Sequence, residues 1–181
     1  MFGFKRSKGN DEELCRQYVR HVFAVGRKTC PSIAEALRIT TRGKVAFPVN
    51  DDASLEISLA ILGTSLALLK GHSQVMNADR GAKVEGFCKR SIEEDYDLPA
   101  EAAGKLNASL DKYQDAFQKS MSQRNNPFGD ISGIMICRCL GQRAMELCLP
   151  STGSLNPFIH QVVDDLMMMT ITQTMIFWKG K

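Results

Sequence analysis

The chain is 181 residues long, 44% hydrophobic and 24% charged, with a formal net charge of +3. That length and apolar content suit one domain spanning residues 1–181 and exclude a disordered chain. So small a net charge does not by itself demand an acidic polymer as partner. Its distribution is uneven: residues 1–46 hold ten Lys and Arg against four Asp and Glu, while the remainder holds 13 against 16. The opening MFGFKRSK has no apolar stretch behind its charges. A secretory signal is therefore not expected, the six cysteines read as reduced thiols, and the expected location is cytoplasmic.

A first helix is expected from Asn10, whose side chain can cap the first turn while Glu13 returns the bond. Leu14, Tyr18, Val22 and Val25 then share a face, and Gly26 reads as its stop. Pro31 suits the first turn of a short second helix, Ser32 to Ile39, closed by Thr41, Arg42 and Gly43. Residues 45–49 read as extended, because Pro48 lacks a donor and pushes Phe47 away from helical angles. Asn50, Asp51 and Asp52 place acceptors and negative charge at the start of a third helix. From Leu55 to Leu69 this helix is apolar nearly all round, which calls for partners on several sides. Its apolar run, Ile57 to Leu69, falls short of the ~20 residues that span a bilayer, so it reads as a core helix and no membrane span is expected.

Ser73 is the expected cap of a fourth helix running toward Tyr96, weakened by Gly81 and Gly86. Leu98, Pro99 and Glu101 open a fifth, with Leu106, Leu110, Tyr113, Phe117 and Met121 spaced as one stripe. Asn126 with Pro127 and Asn156 with Pro157 repeat a cap-plus-proline start for two further helices, the last reaching Trp178. The chain thus reads as an all-α, compact bundle of about six or seven helices. Residues 1–46 form its basic helical front end and 50–178 its main bundle.

Two features suggest association. Gly133, Cys137, Gly141, Ala144 and Cys148 line small side chains along one face of the sixth predicted helix. Met167, Met168 and Met169, followed by Met175, Phe177 and Trp178, give the last helix more apolar surface than one core requires. The first functional reading is therefore a helical interaction or regulatory protein, a homodimer or a binder of another protein, with Gly133, Cys137, Gly141, Met168, Met175 and Trp178 as contact residues.

The second reading is a Mg²⁺-dependent hydrolase of a phosphorylated small molecule, with Glu93, Glu94, Asp164 and Asp165 supplying carboxylates from two helices. Glu93, Glu94 and Asp97 resemble a motif of the all-helical nucleotide pyrophosphohydrolases. That family's second motif, a Glu three residues before an Asp, is missing downstream, where Asp111 and Asp115 stand, so the resemblance does not extend to membership. The third reading is nucleic-acid binding through Arg16, Arg20, Arg27, Lys28, Arg38, Arg42 and Lys44. Cys137 and Cys139 lie about 200° apart around a helix and cannot grip one ion, and no Cys-x-x-Cys occurs. No Gly-x-Ser-x-Gly, dinucleotide or phosphate loop is present either, so neither metal nor cofactor is expected.

Overall fold

The computed structural model describes residues 8–71, 76, 78–123, 126–148 and 157–179, and the side chains of 11–71, 76, 79–123, 126–140 and 159–179. They form six α-helices: α1 (Lys8–Thr40), α2 (Asp51–Gly71), α3 (Ala78–Asp95), α4 (Ala100–Ser122), α5 (Pro127–Cys148) and α6 (Pro157–Met175). A 3-10 turn, Ile176–Trp178, completes the last rod. No strand occurs among the described residues. The fold is all-α.

Helix α2 is the axis of the bundle and packs against each of the other five helices. Thirteen of its residues are buried, from Ala53 to Leu69, so its apolar surface is covered on every side. It is also the one described helix long and apolar enough by composition to cross a membrane. Its start follows the sequence: the Asn50 side-chain oxygen accepts from the Ala53 N–H at 2.8 Å, and Asp51 and Asp52 occupy the first turn. Gly63 lets α4 approach closely. A Cβ there would lie 2.9 Å from both the Leu110 carbonyl oxygen and the Tyr113 Cβ.

The expected break between two N-terminal helices is absent, and α1 runs unbroken through Gly26 and Pro31. Gly26 serves packing and not termination, because a Cβ there would collide with the Ser58 hydroxyl of α2. Pro31 sits on the exposed side and removes one backbone donor, a defect costing ~3 kcal/mol in a helix interior. Beyond it, Ile33 and Leu37 are fully buried, and each such side chain contributes ~1.5–3 kcal/mol, enough to hold the last two turns. The helix ends where expected. The Gly43 N–H reaches back to the Arg38 carbonyl at 2.7 Å, with Arg42 and Gly43 at φ 52° and 75°. Residues 45–47 then turn Val45 and Phe47 inward and Ala46 outward, the alternation of extended chain, which ends before the exposed Val49.

Helix α3 closes with the same geometry: the Leu98 N–H meets the Glu93 carbonyl at 3.2 Å, and Asp97 takes φ 46°. The expected Ser73 cap lies outside the described residues. On α4, Leu110, Tyr113 and Phe117 are buried and Leu106 is half-buried, whereas Met121 is exposed, one turn past the end of the core. Asn126 caps α5 by accepting from the Phe128 N–H at 3.2 Å, and Pro157 is the first residue of α6; Asn156 lies outside the described residues.

Candidate functional site

Helix α6 presents two unlike faces. Ile159, Val163, Met167 and Ile171 are buried against α1, α2 and α5. Asp165, Met168, Met169, Thr172, Gln173, Ile176 and Lys179 are exposed. Met168, Met169 and Ile176 are 45%, 57% and 62% exposed, three of the seven large hydrophobic residues that lie open on the described surface. From Leu166 to Trp178 there is no charged residue at all. The residues expected at a contact surface therefore separate: Met168 is open, Met175 is half-buried, and Trp178 is buried at 3% exposure. Trp178 is an internal anchor, because the 3-10 turn swings its ring edge-on to Tyr18 at 5.0 Å. Its apolar character reflects the core of this chain and not a partner.

On α5, Gly133 and Cys137 are half-buried, and a Cβ on Gly133 would meet His160 of α6 at 3.7 Å, ordinary contact. The space beside Gly133 is thus already bordered by His160 of the same chain, and a Cβ would fit there. The side chains of Gly141, Ala144 and Cys148 lie outside the described ones. Burial pushes the Cys137 thiol up, and it pushes the Cys139 thiol further, to about 12, with the nearby Glu56 charge adding to the shift. Both thiols are thus protonated and poor ligands or nucleophiles at neutral pH.

The four carboxylates of the hydrolase reading have different surroundings. Glu93 is exposed and Glu94 accepts from Arg16 at 3.1 Å, both on α3. Asp164 faces α5 and accepts from the Asn126 side chain at 2.7 Å, while Asp165 points outward and accepts from Gln161 at 3.3 Å. Burial raises the Asp164 pKa against the opposing effects of Ser132, His160 and Asn126. Among the described residues no three His, Cys, Asp or Glu side chains come together as a metal centre requires.

What spacing did not reveal is that Ser132 and His160 both lie close enough to Asp164, across α5 and α6, to favour its charged form, while Ser132 Oγ, His160 Nε2 and Asp164 Oδ1 are each buried without a hydrogen-bond partner. A Gly-x-Ser-x-Gly search cannot find them, since Ser132 and Asp164 stand on different helices and are neighbours only through helix packing. Ser132 is fully buried, with no exposed face for a substrate. The trio is a polar seam between helices.

Three of the seven basic side chains of the front end are paired within the chain. Arg16 and Arg20 both reach Asp95, Arg20 at 2.8 Å, and so clamp α1 to the end of α3. Arg38 pairs with Glu35 one turn away. Arg27, Lys28, Arg42 and Lys44 are exposed. Four of the seven cations expected on a phosphate-binding track thus stay open to solvent.

A polar network also crosses α2, α4 and α5: Tyr113 and Arg138 both donate to Glu56, Arg138 at 2.8 Å, and Arg138 lies over the Tyr113 ring. Each charge here has a partner, which suits a structural clamp. No protein-family model matches the chain, and no curated protein or solved structure shows significant similarity to it.

Proposed function

We propose that this chain is a helical interaction protein that works as a homodimer, with the outer face of α6 packed against the same face of a second copy. The observation that carries this reading is the exposed stripe Asp165, Met169, Thr172, Ile176 and Lys179. Asp165, Met169 and Thr172 share one side of α6 by their steps of four and three, and Ile176 and Lys179 continue the exposed surface in the 3-10 turn and the extended residue after it. The middle is apolar and uncharged; an acid stands at one end and a base at the other.

That pattern selects the partner. A strongly charged protein would find nothing to pair with along the middle of the stripe. A second copy placed antiparallel about a two-fold axis sets Asp165 opposite Lys179 at both ends and lays Met169 and Ile176 across the centre. A parallel pairing would set like charges together. The same symmetry makes the contact self-limiting, because one face on each copy is consumed.

Sedimentation equilibrium at micromolar concentration tests the proposal. The native chain is expected to be a dimer. Burying a Met side chain is worth ~1.5–3 kcal/mol, so Met169→Glu should raise the dimer Kd by at least about tenfold. Asp165→Lys should weaken the dimer, and adding Lys179→Asp should restore it. A monomer at every concentration, or a dimer indifferent to Met169→Glu, would overturn the reading. Failure of the paired charge swap to restore association would overturn the antiparallel register.

A further inference from the structure

A cavity of about 300 Å³ opens on a different side of the bundle, between α1, the first turns of α2, the α3–α4 corner and α4. Its apolar lining is Phe23, Leu55, Tyr96, Leu98 and Leu106, and Arg27, Asp51 and Asp52 stand among the same walls. Ligand sites run from roughly 300 to 1,000 Å³, so this one suits a small molecule.

The corner that forms one wall is held by backbone geometry. Asp97 takes the left-handed conformation and the Leu98 N–H closes back onto Glu93, which carries the chain from α3 into α4 with Tyr96 and Leu98 on the cavity side. Tyr96 in turn stacks on Phe23 of α1, ring centroids 5.3 Å apart. The aromatic wall is thus fixed by α1 and the α3–α4 corner and does not depend on a ligand to assemble.

The charges are less easily explained by the fold. Asp51 and Asp52 suit the start of α2, where the helix dipole favours them, but Arg27 has no such role. Its side chain forms no ion pair among the described residues, and it lines the cavity together with the two carboxylates without neutralising either. A cation and two anions left unpaired around an apolar floor match a ligand that carries both charges and an apolar body.

We infer that this cavity binds a small apolar zwitterion, of the class of an apolar α-amino acid or a short apolar peptide. Arg27 receives the carboxylate, Asp51 and Asp52 receive the ammonium, and Phe23, Leu55, Leu98 and Leu106 cover the side chain. The site shares no residue with the α6 stripe, so it stands or falls independently of the dimer.

Titration calorimetry with phenylalanine, leucine and the dipeptide Leu-Leu tests it. At least one of the three should bind saturably. Taking phenylalanine as the example, 3-phenylpropionate, which lacks the ammonium, and phenethylamine, which lacks the carboxylate, should each bind at least about tenfold more weakly. Glycine, with no apolar body, should bind more weakly still. Arg27→Gln should bind phenylalanine and phenethylamine alike, and Asp51→Asn with Asp52→Asn should bind phenylalanine and 3-phenylpropionate alike. All three side chains are exposed, so the variants should keep the native helical circular dichroism. The inference is overturned if none of the three zwitterions binds. It is equally overturned if both one-charge analogues bind as tightly as the parent, or if each variant weakens every compound by the same factor.

Discussion

Substituting Gly63 by Ala isolates the energetic role of the α2–α4 crossing. In a helix interior Ala is favoured over Gly by ~0.5–1 kcal/mol, so the change would stabilise an unencumbered position. Gly63 is not unencumbered: the new Cβ would lie 2.9 Å from a backbone oxygen and from the Tyr113 Cβ, neither of which can rotate away. The two helices must separate, and overpacking of this kind costs ~1–3 kcal/mol. The net expectation is destabilisation by up to about 2.5 kcal/mol. Gly104, also inside a helix but with nothing within 4 Å of its Cβ position, supplies the control. Gly104→Ala should stabilise by ~0.5–1 kcal/mol, and because the propensity gain is common to both variants, their difference reports the clash alone, ~1–3 kcal/mol. Urea denaturation followed by circular dichroism measures both, provided the m-value is unchanged. Equal stabilisation by the two substitutions would show that α2 and α4 do not approach at Gly63, and the central position of α2 would lose its main geometric support.

Glu85 ties three helices together, accepting from Lys70 of α2 and Gln114 of α4 and pairing with Lys89 of its own helix. Burial works against its charge, but those donors prevail and hold its carboxyl at about 2, below the ordinary 4.5. A depressed folded-state pKa contributes stability above the unfolded value, which is lost as pH falls through the folded one. Glu85→Gln should therefore cost ~1–2 kcal/mol at neutral pH, discounting for partial exposure of both lysines, and the urea midpoints of variant and native chain should converge as pH falls from 4.5 toward 2. A gap that persists unchanged through that window would remove the ion-pair account. Trp178→Ala should destabilise by ~3–5 kcal/mol through loss of its contacts with Tyr18 and Phe177 while leaving association per folded chain unaltered. Met169→Glu should do the opposite, and an effect of Trp178→Ala on the dimer constant of folded protein would return Trp178 to the contact surface.

The fold was legible in the sequence wherever a local rule agreed with the packing, and it failed where packing overrode the rule. Asn50, Asn126 and Pro157 mark helix starts because their effect lies within one turn. Gly26 and Pro31 carry equally strong local signals, yet α1 passes through both, since the groove around Ser58 and the burial of Ile33 and Leu37 are properties of α1 against α2. A single chain read in order contains no sign of that neighbour. The same limit governs the sites. An excess of apolar residues on the last helix was visible, but its division into a buried Trp178 and an open Met169 depends on the 3-10 turn at Ile176. The basic front end looked like a partner-binding surface because its counter-charges, Glu94 and Asp95, lie some 75 positions further along. The cavity beside Arg27 was invisible for the reverse reason: Phe23, Asp51 and Leu98 belong to three elements whose meeting no spacing announces. Charge asymmetry along a chain thus has two opposite outcomes in the folded bundle. At Arg16 and Arg20 it is neutralised by another helix and becomes architecture. At Arg27, which has no ion pair among the described residues, it is left facing the cavity and becomes the basis of the proposed ligand site.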